Sequence, residues 1–502
     1  MNTSGSIRDR TIQADIRKEK GKRSEMASCC VGAGRAHEVL MAESQRQLAM
    51  AQKECGFKYL RFHGLLHDDM GVYRIDDSGK SFHDWQYIDL LFDALLAMNV
   101  RPFVELGFMP SALASGPETI FWWKGNVTLP RSRDLWVNLI RELTEHWTAR
   151  YGADEVRKWY FEVWNEPNLS GFFAASQADY FSLYTDTVNA IKSVDQTYRV
   201  GGPATAGCAW IPEFIGYCED SKTPLDFIST HTYGVNGYLD EWGVQQTILD
   251  SEKDSVVKDI RMVAAQVRES SMSELPIHFT EWSTSYTPRD PVHDSYHSAA
   301  WILSKLKRCE DFVSSMSYWT FTDIFEEPGP PTGPFHGGFG LVNTQGLRKP
   351  AYFAYKYMNS LGERELACED ADSWVCTEGK NIQVLLWNVT PSGAEESNQK
   401  YYIRDLPSNL AERVTIEIAG CVPGRYRLSI HRIGYRKNDI HTAFLGMKAD
   451  GSLSFAQEKI LRAESADECE TAMVNVASDG CFRYRLELDS NEVTFLEIDR
   501  DE

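Results

Sequence analysis

Residues 157–173 read RKWYFEVWNEPNLSGFF, an apolar, β-prone run that ends in Asn165, Glu166 and Pro167. A strand interior disfavours all three, because a buried amide or carboxylic acid needs a partner and proline cannot donate to a ladder. The trio therefore reads as a strand end that presents an amide and an acid, with Pro167 turning the chain away.

Seven further runs of strand length surround it: CCVGAG from Cys29, FKYLRFHG from Phe57, RPFVELGF from Arg101, YRVGGPA from Tyr198, LDFISTHTY from Leu225, PIHFTEW from Pro276 and SMSYWTF from Ser315. Segments of helical period lie between them. In DLWVNLIRELTEHWTARYG, Trp136, Leu139, Ile140, Leu143 and Trp147 share one face, Asp134 is placed to cap the start and Gly152 to close the end. Tyr87 to Met98 and Tyr180 to Val194 read as helices on the same grounds. Eight strands with interleaved helices predict an α/β protein, a (β/α)8 TIM barrel over residues 27–358. An open doubly wound sheet is the competing architecture, but no GxGxxG follows the first strand.

Beyond the barrel, short alternating runs such as NIQVLLWNV, KYYIRDL, RVTIEIAG, RYRLSIHRI, CFRYRLELD and EVTFLEID predict an additional all-β, sandwich-like domain over 359–502. One helical stretch, SFAQEKILRAESA, interrupts it. Residues 1–26, dense in both signs of charge, read as a charged N-terminal extension.

The net charge of −20 repels phosphate backbones and anionic lipid, so neither nucleic acid nor membrane is an expected partner. No run of about 18 apolar residues occurs, and the first 25 residues lack the apolar core of an export signal. The 11 cysteines, without a CxxC pair, read as reduced thiols of a cytoplasmic protein.

Barrel chemistry comes from the carboxyl ends of strands. Those ends hold His63, with Asp68 and Asp69 beyond it; Glu105; Asn165 and Glu166; His231 and Tyr233; Glu281 and Trp282; and Trp319 with Asp323. Glu166 follows the fourth strand and Glu281 the seventh, so the two acids face one another across the axis. Two carboxyl groups about 5–5.5 Å apart cleave a glycosidic bond with retention, one as acid/base and one as nucleophile. If Tyr233 helps to keep Glu281 ionised, the charge of Glu281 is expected to raise the pKa of Glu166. Asn165 is suited to hold a sugar 2-hydroxyl. Glu105 is equally compatible with packing. The histidines lack metal-ligand spacing, so no metal or other cofactor is expected. Trp319 and one of Trp122 or Trp123 are candidate sugar platforms. Cys208 has no His–Asn context to make it a nucleophile.

These residues also carry a family resemblance. WYFEVWNEPNLSGFF, LRFHGLLHDDMGVY, RPFVELGFMPSALASG, GGPATAG, DFISTHTY, HFTEWSTSYTPRDPVHD and SYWTFTDIFEE resemble the successive blocks of glycoside hydrolase family 39, in particular its β-xylosidases, from about Val31 through Met358. The resemblance implies a metal-free, retaining, exo-acting enzyme that releases β-linked xylose from small xylo-oligosaccharides. It implies Glu166 as acid/base and Glu281 as nucleophile, with His63, Asn165, His231, Tyr233, Trp319, Glu326 and His336 as substrate-pocket positions. The chain departs from the family pattern in GVNGYLDEWGVQQTILDSEKD, after the sixth strand. Three alternatives remain on the sequence alone. An α-L-iduronidase would need cations such as Lys124 or Arg289 in its pocket; the others are an α-L-arabinosidase and a silent carbohydrate-binding barrel. A homo-oligomer is compatible with each.

Overall fold

A computed structural model describes residues 7–250, 252–391, 396–447 and 451–501. All eight expected strands form one closed parallel barrel in chain order: Cys30–Arg35, Tyr59–His63, Arg101–Leu106, Tyr160–Val163, Arg199–Thr205, Phe227–Tyr233, Ile277–Ser283 and Ser315–Tyr318. Strand eight pairs back onto strand one, Tyr318 opposite Val31.

Period-two alternation sorts the side chains of each strand. Leu60, Phe62, Val104, Phe161 and Val163 face outward into the apolar layer that the helices cover. Tyr59, Phe103, Tyr160 and Phe227 pack inside as an aromatic floor around Cys30. The next inward positions along the same strands are Arg61, Glu105 and Glu162, all fully buried. The barrel is thus apolar at its base and charged one layer higher, which places the polar groups below the open face.

The helix Arg133–Tyr151 buries Trp136, Leu139, Ile140, Leu143 and Trp147, as its pattern predicts. Its cap is Ser132, whose Oγ accepts the Leu135 N–H; Asp134, the expected cap, lies inside the first turn. Gly152 closes the helix. The other two expected helices form as Gln86–Ala97 and Gln177–Val194.

Beyond the barrel, a seven-stranded and a three-stranded sheet enclose a second core that includes Val384, Leu386, Ile416, Leu428, Leu496 and Ile498. The reading of residues 1–26 as a separate extension needs correction; its first six residues lie outside the described ones. Arg8–Asp15 pairs in parallel with Leu410–Ala419, and Glu19–Lys22 pairs antiparallel with Arg364–Leu366. The cause is an alternation that the charges conceal: Arg10, Ile12 and Ala14 point inward while their neighbours face water. KYYIRDL is not a strand either; Asn398–Tyr401 is a short helix anchored by Asn398, whose amide reaches Asp290 and the Leu249 N–H. SFAQEKILRAESA forms the helix Phe455–Glu464, with Ser454 and Gln457 in a capping box.

Candidate active site

Arg61 organises the charged layer. Its guanidinium reaches Glu162 at 2.6 Å, Glu281 Oε1 at 2.6 Å, Glu105 at 3.0 Å and the Asn165 Oδ1 at 2.8 Å. Burial opposes its charge, but Glu162, Glu105 and Glu281 together raise its pKa further. Sequence reasoning missed this residue, although a lone arginine two positions before His63 in an alternating strand belongs on the same inward face.

Glu281 lies on strand seven and takes two donors: Arg61 on Oε1, and the Tyr233 hydroxyl on Oε2 at 2.6 Å. Burial and the adjacent Glu281 keep the Tyr233 phenol well above its usual pKa, so it remains a donor. Glu166 sits three residues beyond strand four with φ +46°, a conformation that costs a non-glycine residue about 1–3 kcal/mol. Its N–H donates to Ala204 O at 2.8 Å, which ties the turn to strand five. One oxygen of Glu166, one of Glu281 and a ring nitrogen of His231 lie within 4.8 Å of one another. That spacing matches direct attack on an anomeric carbon and leaves no room for the intervening water of an inverting enzyme.

The two acids differ in their surroundings, Glu281 having two donors and Glu166 none from a charged group. Burial pushes Glu166 up to about 7, with His63 and Arg61 opposing. The expected cause, repulsion from Glu281, is thus replaced by desolvation; Arg61 already compensates the Glu281 charge.

Hydrogen-bond directions locate the proton. Burial pulls His231 down to about 4, so its ring is neutral and carries one N–H. Arg61 keeps Glu162 ionised despite burial, so Glu162 only accepts, and the Thr280 hydroxyl donates to it at 2.8 Å. Thr280 Oγ1 therefore accepts from His231 Nε2 at 3.2 Å, which leaves Nδ1 bare. Nδ1 lies 2.9 Å from Glu166 Oε1, and the proton between them belongs to Glu166.

His63 completes the cluster. Burial works against its charge, but Glu105 at 2.5 Å prevails, with Glu327 and Glu281 assisting, and pushes it up to about 10. Glu105 is thus a partner of His63 and Arg61 inside the barrel. The His63 ring packs 4.7 Å from Trp319, which is 2 % exposed and also lies beside Arg61, Phe325 and Phe339. Trp319 is seated by Gly32 on strand one: a Cβ there would fall 2.3 Å from the indole.

Glu326 and His336 are not drawn into the cluster. Glu326 binds Arg35 at 2.8 Å, whereas Glu327 lies 3.4 Å from His63 Nε2 and is pushed up to about 7 by burial. Nothing in the EE dipeptide distinguishes the two in advance. His336 turns to its own loop, where Nδ1 donates to Gly333 O at 2.9 Å. Asp323 serves a buried ion network with Lys349 and Asp294, and Asp69 binds Arg35. Trp123 is packed among Phe108, Phe121 and His67, while Trp122 is exposed. Burial pushes the Cys208 thiol up, which removes it as a nucleophile. Glu166, His231 and Glu281 are close enough to hold a cation, but Arg61 on Glu281 and the protonated His63 would repel one. The donor set suits a neutral, hydroxyl-rich ligand.

Comparison with known proteins agrees with this geometry. The Glycosyl hydrolases family 39 profile matches residues 10–475. The chain is 39 % identical over 483 residues to a β-xylosidase of Geobacillus stearothermophilus, covering 94 % of this chain and 92 % of that one. It is 44 % identical over 407 residues to a β-xylosidase of Caldicellulosiruptor saccharolyticus, covering 79 % and 82 %. It superposes with a TM-score of 0.95 on the crystal structure of a monomeric β-xylosidase from Caulobacter crescentus CB15, at 44 % identity over 98 % of this chain and 100 % of that one. With the family profile spanning most of its length and a relative 39 % identical over 94 % of it, the chain belongs to glycosyl hydrolase family 39.

Proposed function

We propose that this glycoside hydrolase is a retaining, exo-acting β-xylosidase that frees β-D-xylose from the non-reducing ends of short xylo-oligosaccharides, as a step in xylan degradation. The observation that carries the reading is the pair Glu166 and Glu281, within 4.8 Å of one another and in contrasting settings: Glu281 accepts from Arg61 and Tyr233, while burial raises the pKa of Glu166 to about 7. Glu281, accepting from Arg61 on one oxygen and Tyr233 on the other, attacks the anomeric carbon while Glu166 gives its proton to the departing oxygen. In the second step Glu166 takes a proton from water, and the hydroxide equivalent displaces Glu281. Asn165 meets the sugar 2-hydroxyl with its amide, its carbonyl being held by Arg61. His63, Trp319 and Glu327 line the sugar seat. The deep burial of both acids suits a terminal residue, hence exo action. All 11 thiols are free, which supports a reducing, cytoplasmic setting.

An iduronidase reading finds little support in the cations. Lys124 is exposed, and Arg289 donates to Pro328 O at 3.1 Å. Proton NMR of the first product from an aryl β-xyloside tests the proposal. β-Xylose is expected before mutarotation; α-xylose would overturn retention, and cleavage of the iduronide or α-L-arabinoside alone would overturn the substrate.

The protonation geometry predicts a pH profile. Glu166 must be protonated for the first step, so kcat/KM falls as pH rises through about 7. In Thr280→Val, His231 is free to place its proton on Nδ1 and donate to Glu166, which stabilises the carboxylate. The alkaline limb should then move down by about one unit, and Thr280→Ser should restore it. An unmoved limb in Thr280→Val would refute the assigned tautomer.

A further inference from the structure

The segment after strand six that departs from the family pattern folds as an antiparallel hairpin, Val235–Leu239 with Gln245–Leu249. Its base is fixed. Thr247 Oγ1 donates to the buried Asp290 at 2.8 Å, the Leu249 N–H to Asn398 at 2.9 Å, and the Asp250 N–H to Gly234 O at 2.8 Å. Its tip is ordered too: Asp240 Oδ1 accepts the N–H groups of Trp242 and Val244 at 3.0 and 2.9 Å, and Gly243 supplies the φ of +74° that the turn needs.

On this well-braced hairpin large apolar groups stand in water. Trp242 is 81 % exposed, Leu239 67 % and Val244 54 %. Tyr286, just past strand seven, is 42 % exposed and fits against the same hairpin. Its hydroxyl occupies the space a side chain on Gly237 would fill, 2.3 Å from such a Cβ, and accepts from Gln245 Nε2 at 3.3 Å. The Tyr286 ring meets Tyr233 edge-on at 6.3 Å, and Tyr233 holds Glu281. A chain of contacts therefore runs outward from Glu281 through Tyr233 and Tyr286 to Gly237 and Gln245 of the hairpin, on which Leu239, opposite Gln245, and the Trp242 tip stand exposed. Five residues of strand span about 17 Å, more than one sugar ring. Apolar patches at the rim of a cleft mark ligand surfaces, and aromatic rings bordered by a hydroxyl and an amide suit pyranoses, which offer apolar faces and polar edges.

We propose that this strip, Tyr286 with the 235–249 hairpin and its Trp242 tip, binds the leaving-group side of the substrate as a chain of β-linked pyranose units. The proposal rests on the xylosidase reading above and adds to it a preference for oligosaccharides over substrates with no sugar leaving group. Continuity with the acid pair selects the saccharide as occupant over a second copy of the chain.

The test uses the full-length enzyme with xylotetraose and β-xylosyl fluoride, whose leaving group reaches no such strip. In Trp242→Ala and in Tyr286→Ala, the ratio of kcat/KM for xylotetraose to that for the fluoride should fall by about threefold to tenfold. Trp242→Phe should recover most of it. A ratio that stays constant in both alanine variants overturns the proposal while leaving the xylosidase reading intact. Failure of the unaltered enzyme on both substrates removes that reading and the proposal with it. Sedimentation velocity separates the remaining occupant: a loss of self-association in Trp242→Ala at constant ratio assigns the strip to a contact between copies and also overturns the proposal.

Discussion

Glu281→Gly should lower turnover of an aryl β-xyloside by at least about 10⁴-fold while leaving the fold intact. In this variant Arg61 loses one of its acceptors and Tyr233 its acceptor on Glu281, and the space left beside Arg61 admits a small anion. Azide should therefore restore part of the activity by attacking C1 in place of the carboxylate, expelling the aryloxide and giving the α-xylosyl azide in one inversion. The measurement is product stereochemistry by NMR together with the azide dependence of kcat. Turnover within tenfold of the unaltered enzyme, without azide, would remove Glu281 from the reaction.

Arg61→Met should be the most damaging single change to stability. It leaves Glu105, Glu162 and Glu281 buried without their shared cation, and breaking a buried ion pair from one side costs about 3–5 kcal/mol. The sign of its pH dependence follows from burial. Freed of Arg61, buried Glu105 and Glu162 have folded-state pKa values above their unfolded ones, so the lost stability returns as pH falls below the unfolded carboxylate range and is absent once pH rises through the folded values. Urea unfolding at pH 5 and pH 8 should show a deficit that is larger at pH 8. An equal deficit at both would mean that Arg61 acts by packing alone.

Much of this architecture was legible in the sequence. All eight barrel strands, the three clearest helices and the acid pair follow from periodicity and from polar residues at strand ends. What escaped was whatever depends on depth. The sequence shows Arg61 and Glu162 as ordinary charges, and only barrel closure makes them a buried layer that decides which acid holds the proton. Likewise the choice of Glu327 over Glu326 turns on which of two identical neighbours points at His63, a backbone rotation that no composition encodes. The cause of the raised Glu166 pKa was misjudged for the same reason, since desolvation is a property of the enclosure.

The N-terminal strand was hidden by another effect. Its outward residues are charged and its inward ones are few, so the alternation of Arg10, Ile12 and Ala14 looked like a solvated tail. The hairpin after strand six stood out from the family pattern, yet its ordered tip and exposed indole were visible only once the backbone was placed.

The parallel pairing of Arg8–Asp15 with Leu410–Ala419 also dictates an order of assembly. During synthesis this strand leaves the ribosome before the barrel does, but its hydrogen-bonding partner lies 404 residues downstream. The whole barrel has emerged before the two can meet. The catalytic unit is thus enclosed in sequence between strands of one sheet, which is complete only after the whole barrel has been made, like a clasp fastened after the contents are in place.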